Sequence, residues 1–555
     1  MKKRRKFNIS VAGKSFILLF TIAAFSISCS ESNKNTTKKV FRYNESAGII
    51  TLDPAFARDQ AHIWICNQLY NGLVQLDDNM NIKPSVAKSW KISEDGKTYI
   101  FHLRNDIKFH NDISLKNTSR KVTAYDFEYS FKRLTNPKTA SPGAWVFNNV
   151  LKENGKYHFI ALNDSTLEIK LKNPFPPFLG ILTMQYCSVI PHESVEYYGK
   201  EFRKHPVGTG PFYLIKWEEN IKMILRKNPE YFETVNGKQI PFIDGVSITF
   251  LIDKMTAFME FVKGNIDMIS GITPQYKDEL LTSNGTLRKK YRKKFKLLTA
   301  PYLNTEYLGI LVDTTIKKVK NSPLKNKKIR QALNYGFDRE KIIKFLRNGI
   351  GTPGTKGIIP KGLPGYDSTS DYGYNYNPDK CQNLLQEAGY DQKNPLPSIT
   401  LTTTPEYLDI VKLIQAQLAE SGITIKIDVS PPAAMREMKA HSKLLFFRSS
   451  WIADYPDAEN YLSLFYSKNF APNGPNYTHF SSLEFDSLYL QSFITLSNDQ
   501  RIKLYSKMDS LMMKNAPVII LYYDKITRFI NNRITGMHPN AINLLNLKTI
   551  QLERP

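Results

Sequence analysis

The chain has 555 residues, 42% of them hydrophobic and 12% aromatic, and a formal net charge of +25. That apolar content excludes a disordered chain, and the length passes the roughly 250–300 residues at which a single core stops growing, so two or three packed domains are expected. Residues 1–28 hold six of the basic groups and no acid, which leaves +19 for the remainder, much of it in 288–296 and 317–330. Such runs read as solvated faces.

The N-terminus has the three-part layout of an export signal. Lys2-Lys3-Arg4-Arg5-Lys6 is followed by an apolar run over 16–27, too short to span a bilayer, and then by small residues up to Cys29. Ser26-Ile27-Ser28-Cys29 resembles a lipobox, with Ser26 in place of the usual leucine, so residues 1–28 are expected to be a lipoprotein signal peptide and Cys29 the lipidated residue. A polar, aromatic-free tether follows over 29–39. No later run is long and apolar enough to span. An exported chain does not meet the chromosome, so nucleic acid is excluded as a partner. Cys66, Cys187 and Cys381 are scattered and lack paired-ligand spacing, which predicts buried free thiols.

Residues 40–53 alternate into a short strand that Pro54 stops. Ile65, Leu69 and Leu73 share one face of a helix over 61–73. Asp95-Gly96 predicts a tight turn into the alternating strand 97–104, and Thr123 is placed to cap a helix. Leu167, Ile169 and Leu171 mark another strand before Pro174-Phe175-Pro176-Pro177. Residues 71–188 therefore read as a small α+β insert. Val207-Gly208-Thr209-Gly210-Pro211 lacks the lysine and spacing of a nucleotide loop and reads as a structural turn.

From residue 304 helices alternate with strands. Ile329, Leu333 and Phe337 share a helical face, and Asp338 caps a second helix that stops at Gly349. Asn377-Pro378 opens a third, Val411, Ile414 and Leu418 line a fourth, and Ile423, Ile425, Ile427 and Val429 alternate as a strand. The pattern is an α/β lobe. It leads to Phe446-Phe447-Arg448-Ser449-Ser450-Trp451-Ile452-Ala453-Asp454-Tyr455-Pro456-Asp457, a β-type run that ends in a turn. A guanidinium, an indole and a carboxylate emerge there within seven residues, which suits a small charged ligand; the alternatives are an Arg448–Asp454 pair and a core Trp451. His110, His192, His205 and His479 form no catalytic motif, and no Gly-x-Ser-x-Gly is present, so neither an enzyme nor a cofactor is expected.

The ordered set Thr51-Leu52-Asp53-Pro54, Leu69-Tyr70-Asn71-Gly72-Leu73, Ala87-Lys88-Ser89-Trp90, Phe101-His102-Leu103-Arg104, Val207-Gly208-Thr209-Gly210-Pro211, Ile329-Arg330-Gln331-Ala332-Leu333 and Trp451-Ile452-Ala453-Asp454-Tyr455 resembles the extracytoplasmic solute-binding proteins of ABC transporters, family 5, which include the oligopeptide- and dipeptide-binding proteins. The resemblance implies an α/β, two-lobed periplasmic-binding-protein-like fold with a hinge and the insert in the first lobe. The first lobe would take 37–70, 189–303 and 524–555, the insert 71–188, and the second lobe 304–523. It implies a monomer that captures a peptide by lobe closure and delivers it to permease subunits in the cytoplasmic membrane, facing the periplasm or cell exterior. Asp454 would meet the ligand's ammonium and Arg448 its carboxylate end, with Trp451 lining the cleft. The backbone of Ser450 to Ile452 would pair with the peptide, and Arg58 and Gln60 would lie opposite. Arg58, Leu445 and Ala458 depart from the peptide-binding pattern, and the family also holds binders of glycans and nickel complexes, which stand as alternatives beside a secreted hydrolase.

Overall fold

The computed structural model describes residues 38–118 and 120–553. The signal, the Cys29 lipidation site and nearly all of the tether lie outside these residues. Among them no helix is long and apolar enough to cross a membrane.

One eleven-stranded sheet runs through the molecule. Its strands are β1 (Val40–Asn44), β6 (Phe212–Glu218), β7 (Lys222–Lys227), β8 (Gly245–Thr249), β9 (Met268–Ser270), β10 (Phe295–Ile310), β11 (Ile399–Thr403), β12 (Ile425–Val429), β13 (Phe446–Ile452) and β14 (Val518–Asn531), with a short strand Thr352–Pro353 against β14. The spatial order is β6-β7-β8-β1-β9-β14-β10-β13-β11-β12. A separate four-stranded sheet of β2 (Ala87–Ile92), β3 (Thr98–Leu103), β4 (Phe159–Asn163) and β5 (Thr166–Lys170) belongs to the insert, in the order β2-β3-β5-β4.

Two long strands, β10 with 16 residues and β14 with 14, cross between the lobes as an antiparallel pair. Phe295 and Ile530 lie in first-lobe cores, whereas Leu303, Tyr307, Val518, Ile520 and Tyr523 lie in the second. The ladder is irregular between Pro301 and Thr305, where proline has no N–H to give. There the Leu303 N–H bonds the Ala541 carbonyl instead, at 2.8 Å. The break in pairing thus falls where the chain passes from one core to the other.

Caps and turns follow the sequence closely. Asn377 accepts from the Lys380 N–H at 2.9 Å, opening the helix Pro378–Glu387, and Asp338 accepts from Glu340 at 2.8 Å. The Thr123 N–H donates to Asp126 at 2.8 Å at the head of the helix Ala124–Thr135. One helix differs: after a single α turn the backbone widens to a π-helix over Ile342–Leu346. The helix α1 (Gln60–Leu69) also ends before Gly72. Cys66, Cys187 and Cys381 are free and buried. In the basic run 317–330, Arg330 is an exception to a solvated face: it is buried and donates to the carbonyls of Leu324, Lys325, Asn515 and Ala516.

Two of the sequence pieces that carry the resemblance act as joints. Asp53 accepts from the Ala55 N–H at 3.0 Å and pairs with Arg133 of the insert at 2.5 Å, so it ties the insert to the first lobe. Gly208 and Gly210 lie against the end of α1: a Cβ at Gly208 would stand 2.0 Å from the Leu69 carbonyl oxygen. The glycines are there for close backbone approach and not for an anion. Gly208→Ala should therefore lower stability by about 3 kcal/mol, measured as a shift in the urea midpoint, since the clash is with backbone that cannot swing aside.

Candidate functional site

A cavity of about 390 Å³ opens between the insert and the two lobes. Arg58 and Gln60 line it from the first lobe, Ile452, Ala453 and Asp454 from the second, Gln185 and Tyr186 from the insert, and Ile542 and Leu544 from the C-terminal segment. Four of the residues singled out in the sequence, Arg58, Gln60, Ile452 and Asp454, are brought together here across hundreds of residues.

Asp454 sits just past β13, in a turn held by one side chain. Asn460 Oδ1 accepts from the Trp451 indole at 2.8 Å and from the Asp454 N–H at 3.2 Å, and its amide reaches Asp454 Oδ2 at 3.4 Å. Asp457 fixes the far side, accepting from Tyr505 at 2.8 Å and from the Glu459 N–H at 2.9 Å. The Asp454 carboxylate is open to the cavity yet surrounded by protein. That burial raises its pKa to about 6, against a small downward pull from Asn460. No cation pairs with it among the described residues.

Arg58 follows the turn Pro54–Phe56 and precedes Asp59, the cap of α1, whose Oδ1 accepts from the His62 N–H at 3.2 Å. Its exposed guanidinium makes no hydrogen bond or ion pair among the described residues. Tyr186 lies in the field of both charges: burial chiefly raises its hydroxyl pKa, Asp454 raises it further and Arg58 lowers it. Its ring lies over Gly143, where a Cβ would come within 2.2 Å.

Strand β13 presents a free edge beside the carboxylate. It pairs with β10 along its length, from Asn304↔Ile452 to Ile310↔Phe446, but with β11 only at Thr402↔Phe447. The Ala453 N–H donates to Leu303 at 2.9 Å. By antiparallel alternation Trp451 turns its backbone groups the same way, so Ser450 and Ile452 direct theirs to the unpaired edge.

Two expected residues are engaged elsewhere. Arg448 does not line the cavity: its guanidinium pairs with Glu306 on β10 and lies 3.3 Å from the Tyr407 ring centroid. Burial would lower its pKa, but Glu306 more than offsets that and holds it raised. Glu306 in turn accepts from Asn304 at 3.1 Å. Trp451 gives its N–H to Asn460 and packs its half-buried ring on the second-lobe core, so it braces the turn and is not among the residues lining this cavity.

The cavity also holds residues without a sequence signal. Asp78 is a second open carboxylate, raised by burial and eased by His538, Lys548 and Arg528. Lys548 is neutralised by Glu233 at 2.6 Å. Asn460 and Tyr186 belong to no motif or periodicity. The four histidines are engaged by local contacts: His110 is buried, bonds the Gly210 carbonyl at 2.9 Å and has its pKa lowered to about 4 by burial, while His192 lies 3.2 Å from Glu193 and His479 3.5 Å from Asp313. His205 stacks on Tyr198 and His479 on Phe470, and His192 packs edge-on to Tyr129.

The comparisons with known proteins agree with the fold. Residues 81–473 match the family model "Bacterial extracellular solute-binding proteins, family 5 Middle", and the chain belongs to that family of ABC-transporter solute-binding proteins. It is 28% identical over 495 residues to the glutathione-binding protein GsiB of Salmonella typhi, covering 88% of this chain and 89% of that one. Among solved structures, the DppA periplasmic binding protein of Helicobacter pylori in complex with peptide STSA superposes with a TM-score of 0.76 at 25% identity, over 93% of this chain and 99% of that one. The OppA of Haemophilus influenzae in complex with RPPGFSPFR does so with a TM-score of 0.72 at 22% identity, over 93% and 99%.

The Arg448–Glu306 pair yields a test of its structural role. Glu306→Ala strands a buried guanidinium and should cost about 3–5 kcal/mol, whereas Glu306→Ala combined with Arg448→Met should recover most of that loss. Urea denaturation of the three proteins checks both; equal midpoints for the single variant and wild type would show the pair to be inert.

Proposed function

We propose that this protein is the peptide-capturing component of an ABC importer, and that its ligand closes the cleft by neutralising Asp454 on one lobe and Arg58 on the other. The observation that carries the reading is a carboxylate without an ion-pair partner at the end of a strand with a free edge, in one cavity with an unpaired guanidinium. A zwitterionic peptide supplies an ammonium for Asp454, a carboxylate for Arg58, and a backbone that can add to the Ser450–Ile452 edge. Since the two charges belong to different lobes, such a ligand makes both contacts only in the closed form, and its differential affinity drives closure. Strand addition reads backbone and not side chains, which suits a binder of several peptides. The names of GsiB and the peptide-bound DppA support a peptide-like solute. In this reading the protein acts without catalysis, is held to the membrane through Cys29 as a monomer, and hands its cargo to permease subunits, with the lobes divided near residues 304 and 524.

Mass spectrometry of ligand co-purified with the protein, followed by calorimetry with short peptides, tests the proposal. Asp454→Asn should weaken capture of a free-amine peptide by about 2–3 kcal/mol, and N-acetylated peptides should lose about as much on the wild-type protein. A co-purified solute without an amine, or Asp454→Asn binding peptides at wild-type strength, would overturn it.

The pKa of about 6 at Asp454 sets a pH dependence. An ammonium needs the carboxylate ionised, so affinity should be constant above about pH 7 and fall toward about tenfold per unit below pH 6, with the Asp454→Asn variant flat over that range. Titration calorimetry at stepped pH reads the slope directly.

A further inference from the structure

The inter-lobe space is not one chamber. Beside the 390 Å³ cavity lies a second of about 480 Å³, lined by Tyr302, Arg347 and Tyr407. Between them runs the C-terminal segment 540–546, and its residues alternate: Asn540, Ile542 and Leu544 face the cavity with Asp454, while Asn543 faces the other.

This partition is built into the frame. The Asn543 carbonyl accepts from Trp64 Nε1 at 2.6 Å and from Gln60 Nε2 at 3.3 Å, both on α1. Arg528 of β14, fully buried, donates to Asn543 Oδ1 and to the Leu544 carbonyl, each at 3.1 Å. Leu303 of β10 holds the Ala541 carbonyl at 2.8 Å. The segment closes on itself where the Asn543 N–H meets the Asn540 carbonyl at 2.8 Å, with Asn543 at φ 58°, a left-handed conformation that asparagine tolerates better than most residues. It is therefore tied to a first-lobe helix and to both crossing strands, and cannot swing aside as a loose loop would.

We propose that segment 540–544 is the length stop of the ligand cavity. It confines the solute to the chamber with Asp454 and Arg58, whose 390 Å³ is near the lower end of the roughly 300–1,000 Å³ usual for small-ligand sites. The substrate class is then peptides of roughly two or three residues, and longer chains are refused because the second chamber is walled off. This rests on the peptide reading above, with Ile542 and Asn543 as the residues that set length.

Calorimetry with free-ended alanine di-, tri-, penta- and octapeptides tests it on wild type, Ile542→Ala and Asn543→Gly. Glycine keeps the left-handed turn while removing the side chain between the chambers. Wild type should bind the short pair at least about tenfold more tightly than the octapeptide, and the variants should narrow that ratio. Octapeptides bound by wild type as tightly as tripeptides would overturn the proposal, as would an unchanged ratio in both variants with wild-type Tm. Should either variant unfold, the wild-type length profile decides alone. Should no peptide of any length bind, the peptide reading fails and the length stop falls with it.

Discussion

Both lobes hang on the backbone pairing of Phe295–Ile310 with Val518–Asn531. Apart from the short strand Thr352–Pro353 on Val518–Asn531, each lobe adds its strands to one side of this pair, so the pair is at once the centre of the sheet and the link between two cores. A continuous ladder would make the link stiff. The interruption from Pro301 to Thr305 supplies the place where φ and ψ can change without breaking paired hydrogen bonds. Opposite it on the facing strand, Asp524 pairs with Arg347, which itself lies over Tyr522 at 4.4 Å. Charge therefore clusters at the pivot, on the same strands that carry Glu306 and, one step away, Arg448.

Local chemistry was legible in the sequence because it is local. Asn377-Pro378, Asp338 and Thr123 state a helix start in one or two residues, and the alternation of Ile425 and Ile427 states a strand. The Trp451–Asp454 turn was legible as a place, since a strand ending in charged and aromatic groups is unusual in any fold. What the residues do there was not, because the deciding partners are far away in sequence. Arg448 meets Glu306 across 142 positions, and nothing in either neighbourhood announces the pair. Trp451 is claimed by Asn460, a residue that looks like any helix-start asparagine. The segment 540–544 carries no periodicity at all; its place is set by Gln60, Trp64, Leu303 and Arg528, which hold it.

The strong positive charge of the whole chain misdescribes the cleft. Of the basic groups lining the ligand chamber, Lys548 is spent on Glu233, which leaves Arg58 opposite Asp454 and Asp78. Long-range attraction of anions would be a property of the outer surface, where salt screens it, and not of the site.

Several enclosed charges have the ion-pair partner that Asp454 lacks. Arg448 has Glu306, Arg347 has Asp524, Arg133 has Asp53, and Asp267 has both Arg42 and Arg533. An unpaired charge surrounded by protein is costly, and folding has removed that cost at each of these places by placing a partner. At Asp454 it has not, and the upward pKa is the visible sign of the unmet demand. In the proposed reading a group left so in a cavity, on a turn held by Asn460 and Asp457, takes its partner from the ligand. Because the turn is held on both sides, a ligand cation in the proposed reading would gain the interaction with Asp454 without ordering the protein, with Asp78 as a second open carboxylate in the same cavity.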